Sequence, residues 1–229
     1  MICRPMIPNV MIANVQTRIR FSMRLLDVIG ALVALVVLAP LFALAALLIL
    51  LSDGRPLLFR HRRIGRNGKP FLVLKFRTMR NGGSGLEITT SKDGRVTKAG
   101  AWMRKLKIDE LPQLVNVLRG EMSLIGPRPE VPEYIEFNDP RWRKVLAERP
   151  GITDLASLAF RDEEAILGPA PDPDAYYRSV ILPEKLRLNL LYQQSRTLSR
   201  DLKLLWMTAR YSFFPRGFDR DRIMRSLGA

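Results

Sequence analysis

The sequence predicts an α/β fold that is rich in helices, with a short irregular sheet or hairpin and a membrane-length helical segment near the N-terminus. Three observations lead to this prediction. Val28 to Leu51 is a run of 24 residues without a charged or strongly polar side chain. Two strand-like stretches follow and are joined through Asn67-Gly68, and the remaining chain carries amphipathic helix patterns. Their irregular spacing argues against a repeating βαβ unit.

Composition narrows the chemistry that the chain can perform. The 229 residues include 37 Lys and Arg against 22 Asp and Glu, a formal net charge of +15, and this length buries a core without cross-links. Cys3 is the single cysteine and His61 the single histidine, which excludes an intramolecular disulfide, a structural zinc site and Ser-His hydrolysis. The positive charge needs an anionic partner: nucleic acid, a membrane surface or a phosphate-bearing substrate.

The apolar run has membrane length, since a straight helix of this size reaches about 36 Å against a hydrocarbon core of roughly 30 Å. Arginines that favour the cytoplasmic side flank both ends: Arg18, Arg20 and Arg24 before it, and Arg55, Arg60, Arg62, Arg63 and Arg66 after it. Pro40 lies at the midpoint, where it deprives the carbonyl of Val36 of its helical partner. These residues leave two topologies open, a kinked spanning helix and a re-entrant helix that returns to the same side.

The chain is expected to have four parts. They are a basic interfacial segment over residues 1–27, the membrane helix broken at Pro40 over 28–51, a soluble tethered domain over 52–209 and a basic aromatic tail over 210–229. The tail belongs to a stretch from Trp206 to Leu227 that interleaves aromatic residues with arginines. This composition suits an amphipathic helix at an anionic lipid surface, and it equally suits ordinary packing against the domain.

A β-hairpin is predicted at the start of the domain. Its strands are Leu57–Ile64 and Phe71–Met79, and the Asn-Gly pair inside Arg66–Lys69 favours a tight turn between them. Lys75 and Arg77 share one face of the second strand because side chains alternate with a period of two. Two neighbouring cations on one face fit an anion site as well as a protected sheet edge.

The hairpin is followed by a glycine-rich stretch and a basic helix. Asn81–Gly94 contains four glycines and little apolar content, which is the composition of a mobile surface loop suited to a lid. Val96–Leu106 is predicted as a short helix that carries basic residues towards an acidic pair, Asp109-Glu110.

A complete helix is predicted from Asp109 to Gly120. Asp109 suits the N-cap, Pro112 is tolerated in the first turn and Gly120 can close the C-terminal end. The expected buried stripe follows the i, i+3, i+4, i+7 pattern: Leu111, Leu114, Val115 and Leu118. Asp109 and Glu110 therefore stand together at a helix N-terminus, as an acidic cap or as part of a phosphate site.

Several cations accompany the two carboxylates along the chain: Lys75, Arg77, Arg104, Lys107 and Arg128. This combination favours phosphoryl chemistry, in which one carboxylate acts as a nucleophile or metal ligand and the cations clamp the phosphates. Two carboxylates also suit Mg²⁺, which takes its remaining ligands from water and substrate phosphates.

Eight short motifs follow one another between Arg20 and Thr208: Arg24–Asp27, Lys75–Met79, Arg95–Thr97, Ile108–Leu114, Asn116–Gly120, Met122–Pro129, Arg149–Thr153 and Asp201–Lys203. In this order they resemble the bacterial sugar transferases that start glycan assembly, the monotopic polyprenol-phosphate phosphoglycosyl transferases. A single motif is weak, whereas the ordered set is specific. No nucleotide-binding glycine loop competes with this interpretation.

The resemblance implies a catalytic pair, Asp109 and Glu110, which binds Mg²⁺ and acts on a UDP-sugar and a polyprenol phosphate at the cytoplasmic face of the bacterial inner membrane. Asp109 would attack the phosphate next to the sugar, expel UMP and hold a covalent phosphosugar for the lipid phosphate. Glu110 would assist through the metal or in proton transfer. The implied membrane topology is re-entrant, with its break near Pro40.

The candidate phosphate-binding residues are all basic. Lys75, Arg104, Arg128 and Arg149 fall on basic positions of the family, Arg161 aligns with a further family arginine, and Arg77 is added from the strand pattern. The expected partners are a UDP-sugar, polyprenol (undecaprenyl) phosphate and anionic membrane lipid, without nucleic acid. A homodimer is one arrangement that the sequence allows.

Three departures from the family pattern bear on this interpretation. Ala39 precedes Pro40 where the family usually has serine, so the helix break needs other support. Asp154 and Ser157 stand where the commoner pattern has glycine and glutamine, and Leu167–Val180 is an insertion relative to shorter members. The last two differences lie where sugar specificity is set, so the sugar stays open.

Two other classes of function remain on the sequence alone. A membrane-tethered nucleic-acid-binding protein would account for the charge of +15, but no basic reading helix and no aromatic RNA-binding motif is present. A non-catalytic scaffold for glycan assembly would account for the departures at Ala39 and Asp154. Release of UMP from a UDP-sugar distinguishes the enzyme from both.

Overall fold

A computed structural model describes residues 9–80, 93–214 and 216–227, with side chains from residue 23 onwards. Within these ranges the α-helices are α1 (Asn9–Val37), α2 (Ala39–Ser52), α3 (Lys98–Lys105), α4 (Gln113–Arg119), α5 (Pro140–Val145), α6 (Leu155–Ala159), α7 (Glu163–Leu167), α8 (Pro173–Tyr176), α9 (Leu182–Ser195), α10 (Leu198–Phe213) and α11 (Arg220–Leu227). The strands are β1 (Leu58–Ile64), β2 (Pro70–Phe76), β3 (Ser123–Ile125) and β4 (Gly151–Thr153), which form the sheets β1-β2 and β3-β4. The helix-rich composition with short sheets agrees with the predicted α/β class. The predicted lid falls largely on residues 81–92, outside the described residues.

The apolar run folds as two helices that meet at Leu38. Met23–Val37 and Ala39–Ser52 are bent by 61° against each other. In the described part of the chain, no single helix meets the length and hydropathy expected of a membrane span, and this bent pair meets them only when its arms are taken together. Pro40 lies in the first turn of α2, where an amide hydrogen has no helical acceptor. The helix is therefore broken at Leu38, whereas the sequence predicts the break at Pro40.

The first sheet is the predicted hairpin. β1 and β2 pair in antiparallel register, with Leu58 opposite Phe76. Asn67 and Gly68 of the connection both have positive φ, 58° and 74°, which is the conformation that favours an Asn-Gly pair in a tight turn. The predicted extension of the second strand to Met79 is wrong, because regular pairing ends at Phe76.

The predicted helix from Asp109 to Gly120 is wrong at its start. Ile108–Glu110 forms a 3-10 turn, and the α-helix begins only after Pro112. Lys107, just before this turn, has a φ of 58°, and the N-cap position of α4 belongs to Pro112 rather than to Asp109. Gly120 ends the helix with a φ of 81°, as predicted.

Both arms of the bent pair pack on the elements around this turn. Ala31 of α1 belongs to a buried cluster with Leu114 and Val117 of α4. A second buried cluster joins α2 to α3, β2 and the 3-10 turn: Ala45, Ile49, Phe76, Met103 and Ile108. Of the predicted buried stripe only Leu114 is buried, whereas Leu111, Val115 and Leu118 are half-buried; Val117, which the pattern does not include, is buried. The apolar helices are thus part of the support of the acidic turn.

The C-terminal stretch forms α10 and α11. α10 continues without interruption across position 209, where the sequence places the boundary of the tail. Ile223 and Leu227 of α11 are buried in a cluster with Leu204 and Tyr211 of α10, so this part of the tail packs against the domain. A row of apolar residues on α10 remains exposed: Leu198, Leu202, Trp206 and Phe213. The predicted packing is thus found for α11, while lipid contact of the stretch stays a prediction.

Candidate functional site

The acidic pair lies in a buried turn. Asp109 and Glu110 are only 5% and 8% exposed, and their turn is fixed by Ile108, which packs with Met103 of α3 and Phe76 of β2. Removing two adjacent carboxylates from water is unfavourable unless cations or hydrogen bonds compensate for the lost solvation. The surroundings of each carboxylate therefore indicate what it can do.

Glu110 is held by two cations from different elements. Arg128, which follows β3, binds it through both terminal nitrogens, with Nη1 3.1 Å from Oε2 and Nη2 2.5 Å from Oε1. Lys75 of β2 places Nζ 3.1 Å from Oε1. Burial alone would raise the pKa of Glu110, but Arg128 and Lys75 outweigh it and bring that pKa well below its usual range. Glu110 is therefore ionised and fixed in position.

Asp109 has the opposite environment. Its Oδ1 is buried and has no hydrogen-bond partner in the described part of the chain. Burial, and then the adjacent charge of Glu110, raise the pKa of Asp109, although Lys75 and Lys107 act against this rise. One carboxylate oxygen is thus poorly solvated and not restrained by hydrogen bonds, which favours Asp109 over Glu110 as the group that reacts.

Asp154 holds the backbone of Arg128. Its carboxylate accepts hydrogen bonds from the amide of Arg128 at 2.6 Å and from the amide of Ser157 at 2.5 Å. The second bond caps α6, and Asp154 is only 2% exposed. The sequence marks Asp154 and Ser157 as departures from the family pattern but does not reveal this role. The available signal was the Asp-x-x-Ser spacing of a helix N-cap.

Arg104 lies at the end of α3, close to the dyad formed by Asp109 and Glu110. Its guanidinium contacts the carboxylate of Glu164, while its Nε is buried without a hydrogen-bond partner among the described residues. The charge of Arg104 is one of those that lower the pKa of Asp109. The structure thus brings together four of the predicted site residues: Asp109, Glu110, Lys75 and Arg128, with Arg104 beside them.

Arg77 and Arg149 lie in other surroundings. The guanidinium of Arg77 donates to the carbonyls that follow α2, those of Asp53 at 2.5 Å, Gly54 at 2.8 Å and Arg55 at 2.9 Å. It thereby closes the end of the apolar segment, a role that the strand pattern does not indicate. For Arg149, burial lowers the pKa, followed by the positive charge of Arg24 on α1. The other charges that act on Arg149 are those of Arg66, Asp27 and Glu148.

A cavity of about 370 Å³ adjoins the acidic turn on the side of Glu110. Glu110 and Arg128 line it, and Ala34 and Leu38 of the bend between α1 and α2 contribute to its apolar wall. Arg161 also lines this cavity, where it donates to the carbonyl of Tyr211 and contacts the ring of Phe218 at 5.5 Å. A cavity with both an apolar wall and charged residues suits a ligand that combines a phosphate with a lipid.

Lys107 also lines this cavity, together with three charged residues that were not among the candidates: Glu163, Glu164 and Lys185. Sequence analysis missed them because they lie far along the chain from Asp109 and no local spacing relates them to it. The only signal was the adjacent pair of glutamates after Arg161-Asp162. The fold brings them to the cavity through α7 and α9.

Asp109 and Glu110 are the residues that would hold a Mg²⁺ ion shared with substrate. Among the described residues, no three His, Cys, Asp or Glu side chains form a metal-binding group. Mg²⁺ usually takes one or two carboxylates and completes its shell with water and phosphate oxygens. The unpartnered Oδ1 of Asp109 is a suitable oxygen, with Glu110 as the adjacent second carboxylate.

Comparison with known proteins gives consistent matches. The family model described as "Bacterial sugar transferase" matches residues 18–215. The chain is 44% identical over 159 residues to the exopolysaccharide production protein ExoY of Sinorhizobium fredii, covering 62% of this chain and 70% of that protein. It is 37% identical over 190 residues to the UDP-glucose:undecaprenyl-phosphate glucose-1-phosphate transferase of Caulobacter vibrioides, covering 81% of this chain and 67% of that protein. A UDP-N-acetylgalactosamine-undecaprenyl-phosphate N-acetylgalactosaminephosphotransferase of Aeromonas hydrophila is 38% identical over 143 residues, which are 60% of this chain and 34% of that protein.

Proposed function

Because the chain belongs to the bacterial sugar transferase family, we propose that it transfers a hexose-1-phosphate from a UDP-sugar to undecaprenyl phosphate and releases UMP. This is the first membrane step of exopolysaccharide or glycoconjugate synthesis. The names of its relatives support the lipid phosphate and the sugar phosphate. The observation that carries the proposal is the asymmetric dyad, in which Glu110 is clamped by cations and Asp109 keeps an unpartnered oxygen.

The reaction proceeds in two displacements at phosphorus. A carboxylate oxygen of Asp109 attacks the phosphate next to the sugar, the bond to the bridging oxygen of the diphosphate breaks, and UMP leaves with that oxygen. The phosphate oxygen of undecaprenyl phosphate then attacks the same phosphorus and releases Asp109. The donor and the lipid acceptor therefore never need to be bound together.

The surrounding residues have distinct parts in this scheme. Arg128 and Lys75 keep Glu110 ionised, and together with Arg104 they supply positive charge for the transferring phosphate. When bound by Asp109 and Glu110, Mg²⁺ supplies further charge stabilisation to the diphosphate. Glu110 assists through that site or as a proton-transfer group.

The lipid acceptor places the enzyme at the bacterial inner membrane, with its domain on the cytoplasmic face. The bent pair α1-α2 is the proposed re-entrant segment, and anionic lipid is the partner of the basic flanks. Ala34 and Leu38 of the bend line the cavity that Glu110 and Arg128 also line. This continuity supports an acceptor that reaches the dyad from the lipid phase.

The test is release of UMP by purified full-length protein with undecaprenyl phosphate, Mg²⁺ and a panel of UDP-sugars. We expect Asp109→Asn and Glu110→Gln each to lower the rate by about 10³-fold or more, because the two carboxylates act together and loss of either one removes most of the catalysis. Glu184→Gln, which removes a half-buried carboxylate on α9 that does not line the cavity, serves as the control and should keep wild-type activity.

A second measurement separates covalent from direct transfer. Without undecaprenyl phosphate, mass spectrometry should detect a phosphosugar on Asp109 of the wild-type protein and none on Asp109→Asn. Full activity in both dyad variants would show the mechanism to be wrong. A wild-type protein that releases no UMP from any donor would instead favour the non-catalytic scaffold.

A further inference from the structure

The cavity beside the dyad contains a buried lysine that the transfer scheme does not use. Lys185 of α9 has a side chain that is only 8% exposed, and it lines the same cavity as Glu110 and Arg128. A lysine is rarely buried to this extent unless its ammonium group is paired. Its partners therefore indicate why the fold keeps a positive charge at this wall.

Lys185 is held by one residue on each of two other elements. Its ammonium forms an ion pair with Glu163 of α7. It also donates to the hydroxyl of Tyr177 at 3.3 Å and lies 4.8 Å from the centre of that ring. Tyr177 in turn donates to Oε1 of Glu130 at 2.8 Å. Burial, and then Glu130, raise the pKa of Tyr177, so its hydroxyl stays protonated and accepts from Lys185.

The segment that supplies Tyr177 is the one that the sequence marks as an insertion, Leu167–Val180. In the structure Tyr177 begins the π-helical turn Tyr177–Ile181 between α8 and α9, and it is fully buried. The inserted segment thus contributes a residue to the support of Lys185. A support of this kind fixes the ammonium relative to the cavity wall.

The ion pair presents complementary hydrogen-bonding groups to the cavity. The ammonium has three protons, of which the described contacts use two, and Glu163 also lines the cavity. One hydroxyl of a vicinal diol accepts from an ammonium while its neighbour donates to a carboxylate. Glu163 is also among the carboxylates that raise the pKa of Arg128, so the pair lies beside the proposed phosphate clamp.

We propose that Lys185 and Glu163 form the sugar subsite of the donor and bind two vicinal hydroxyls of a neutral hexose, with Tyr177 as a positioning residue. This inference rests on the proposed function and specifies its substrate class. A hexuronate is disfavoured because its carboxylate would lie near Glu163 and Glu164, which both line the cavity. The pair is adjacent to Arg128, as expected for a sugar attached to the clamped phosphate.

The experiment measures kcat/KM for UMP release by the full-length protein with undecaprenyl phosphate and Mg²⁺. UDP-glucose, UDP-galactose, UDP-N-acetylgalactosamine and UDP-glucuronate identify the preferred donor, whose 3-deoxy, 4-deoxy and 6-deoxy analogues are then compared. In the wild-type protein we expect kcat/KM to be about 10- to 100-fold lower for the 3-deoxy analogue, the 4-deoxy analogue or both, because each would lack a hydrogen bond to a charged group. The 6-deoxy analogue should lose less than about 3-fold, because its missing hydroxyl is not part of a ring diol.

The variants Lys185→Met and Glu163→Gln test whether that loss arises at the pair. In each variant we expect kcat/KM for the unmodified donor to fall by about 10- to 100-fold. The deoxy penalty, which is the ratio of kcat/KM between this donor and its deoxy analogue, should shrink to within about 3-fold. Tyr177→Phe should act in the same direction by about 3- to 10-fold. Competitive inhibition by UDP, which has no sugar, should change by less than about 2-fold, and Glu184→Gln on the same helix serves as the control.

The subsite is refuted if the variants slow all donors equally and keep the deoxy penalty, because the pair would then be structural. It is also refuted if the wild-type protein shows no ring deoxy penalty or prefers UDP-glucuronate. Since a single substitution leaves a buried charge unpaired, the double variant Lys185→Met/Glu163→Gln decides the outcome if a single variant fails to fold. Absence of UMP release from every donor overturns the proposed function itself, a result distinct from loss of selectivity.

Discussion

Asp109 and Glu110 are neighbours in one 3-10 turn, yet the fold restrains only the second of them. Glu110 receives Arg128 and Lys75, whereas Oδ1 of Asp109 has no hydrogen-bond partner among the described residues. An unpaired buried carboxylate lowers stability, and such unfavourable groups concentrate at functional sites. The difference between the two residues is therefore expected to appear in stability as well as in activity.

At pH 7 we expect Asp109→Asn to raise the free energy of unfolding by about 1 kcal/mol and Glu110→Gln to lower it by about 3 kcal/mol. The fold raises the pKa of Asp109, so ionised Asp109 is unfavourable above that pKa and the gain disappears as the pH falls through it. The fold lowers the pKa of Glu110, so its stabilisation is complete above the ordinary pKa of a glutamate and is lost progressively as the pH falls from that value towards the lowered pKa.

Denaturant unfolding of the purified proteins in detergent at pH 7 and pH 4 measures both effects. Both differences should decrease at the lower pH: the Asp109→Asn gain because Asp109 is protonated in the folded protein, and the Glu110→Gln loss because pH 4 is below the ordinary pKa of a glutamate, 4.5. A Glu110→Gln variant as stable as the wild type at pH 7 would contradict the described clamp.

Charged side chains attach the apolar helix α1 to the rest of the molecule. Arg24 donates to the carbonyls of Val117 at 2.7 Å and Leu118 at 3.0 Å, at the C-terminal end of α4. One turn later, Asp27 accepts from the hydroxyl of Ser123 and from the amide of Leu124, both at 2.8 Å. α1 is therefore bound by charged hydrogen bonds to the helix that follows the acidic turn and to β3.

We expect Arg24→Leu to lower the free energy of unfolding by about 1 to 3 kcal/mol, because it removes two hydrogen bonds from a charged group to the end of α4. Thermal unfolding and limited proteolysis of the detergent-solubilised protein measure this change. The matched control is Arg119→Leu, since Arg119 lies in the last turn of α4 but is exposed. Equal loss in both variants would show that the effect is one of net charge rather than of attachment.

Local sequence patterns predict those elements whose geometry is set by a few adjacent residues. Asn67-Gly68 predicts the hairpin turn because both residues tolerate positive φ, and Gly120 predicts the end of α4 for the same reason. The start of α4 could not be predicted, because Lys107 also adopts a positive φ, which a lysine rarely does. After this residue Asp109 lies in a 3-10 turn, and the N-cap of α4 is Pro112.

Of the candidate site, the sequence predicts only the residues that lie closest to the two carboxylates. The resemblance indicates Asp109, Glu110 and the basic residues, and the structure places Lys75 and Arg128 on Glu110. Long-range packing decides the rest, because α7 and α9 bring Glu163 and Lys185 to the cavity. The same packing leaves Arg77 at the end of α2, where three carbonyls bind it.

At the scale of the whole molecule, the arrangement of α1 and α2 bears on the membrane topology. Ala31 of α1 is buried against α4, and Ala45 and Ile49 of α2 are buried with residues of α3 and the acidic turn. The other face of the pair remains apolar and exposed, with Val36 75% and Leu51 76% exposed. Because both arms pack on the same domain, they cannot continue to opposite sides of a bilayer without giving up one set of contacts. This packing supports the re-entrant proposal over a kinked spanning helix.

The two topologies differ in the side of the membrane on which each flank of the pair is found. Cys3 is the single cysteine and reports the N-terminal flank, and Ser52→Cys in a Cys3→Ser background reports the end of α2, where residue 52 is exposed. With a membrane-impermeant maleimide, we expect both cysteines to react in inverted inner-membrane vesicles and neither to react in intact spheroplasts. Cys3→Ser alone controls for background, and labelling after detergent solubilisation shows that each thiol is reactive. Labelling of the two cysteines from opposite sides would mean that the pair spans the membrane, which would separate the basic flanks and break the packing of one arm on the domain.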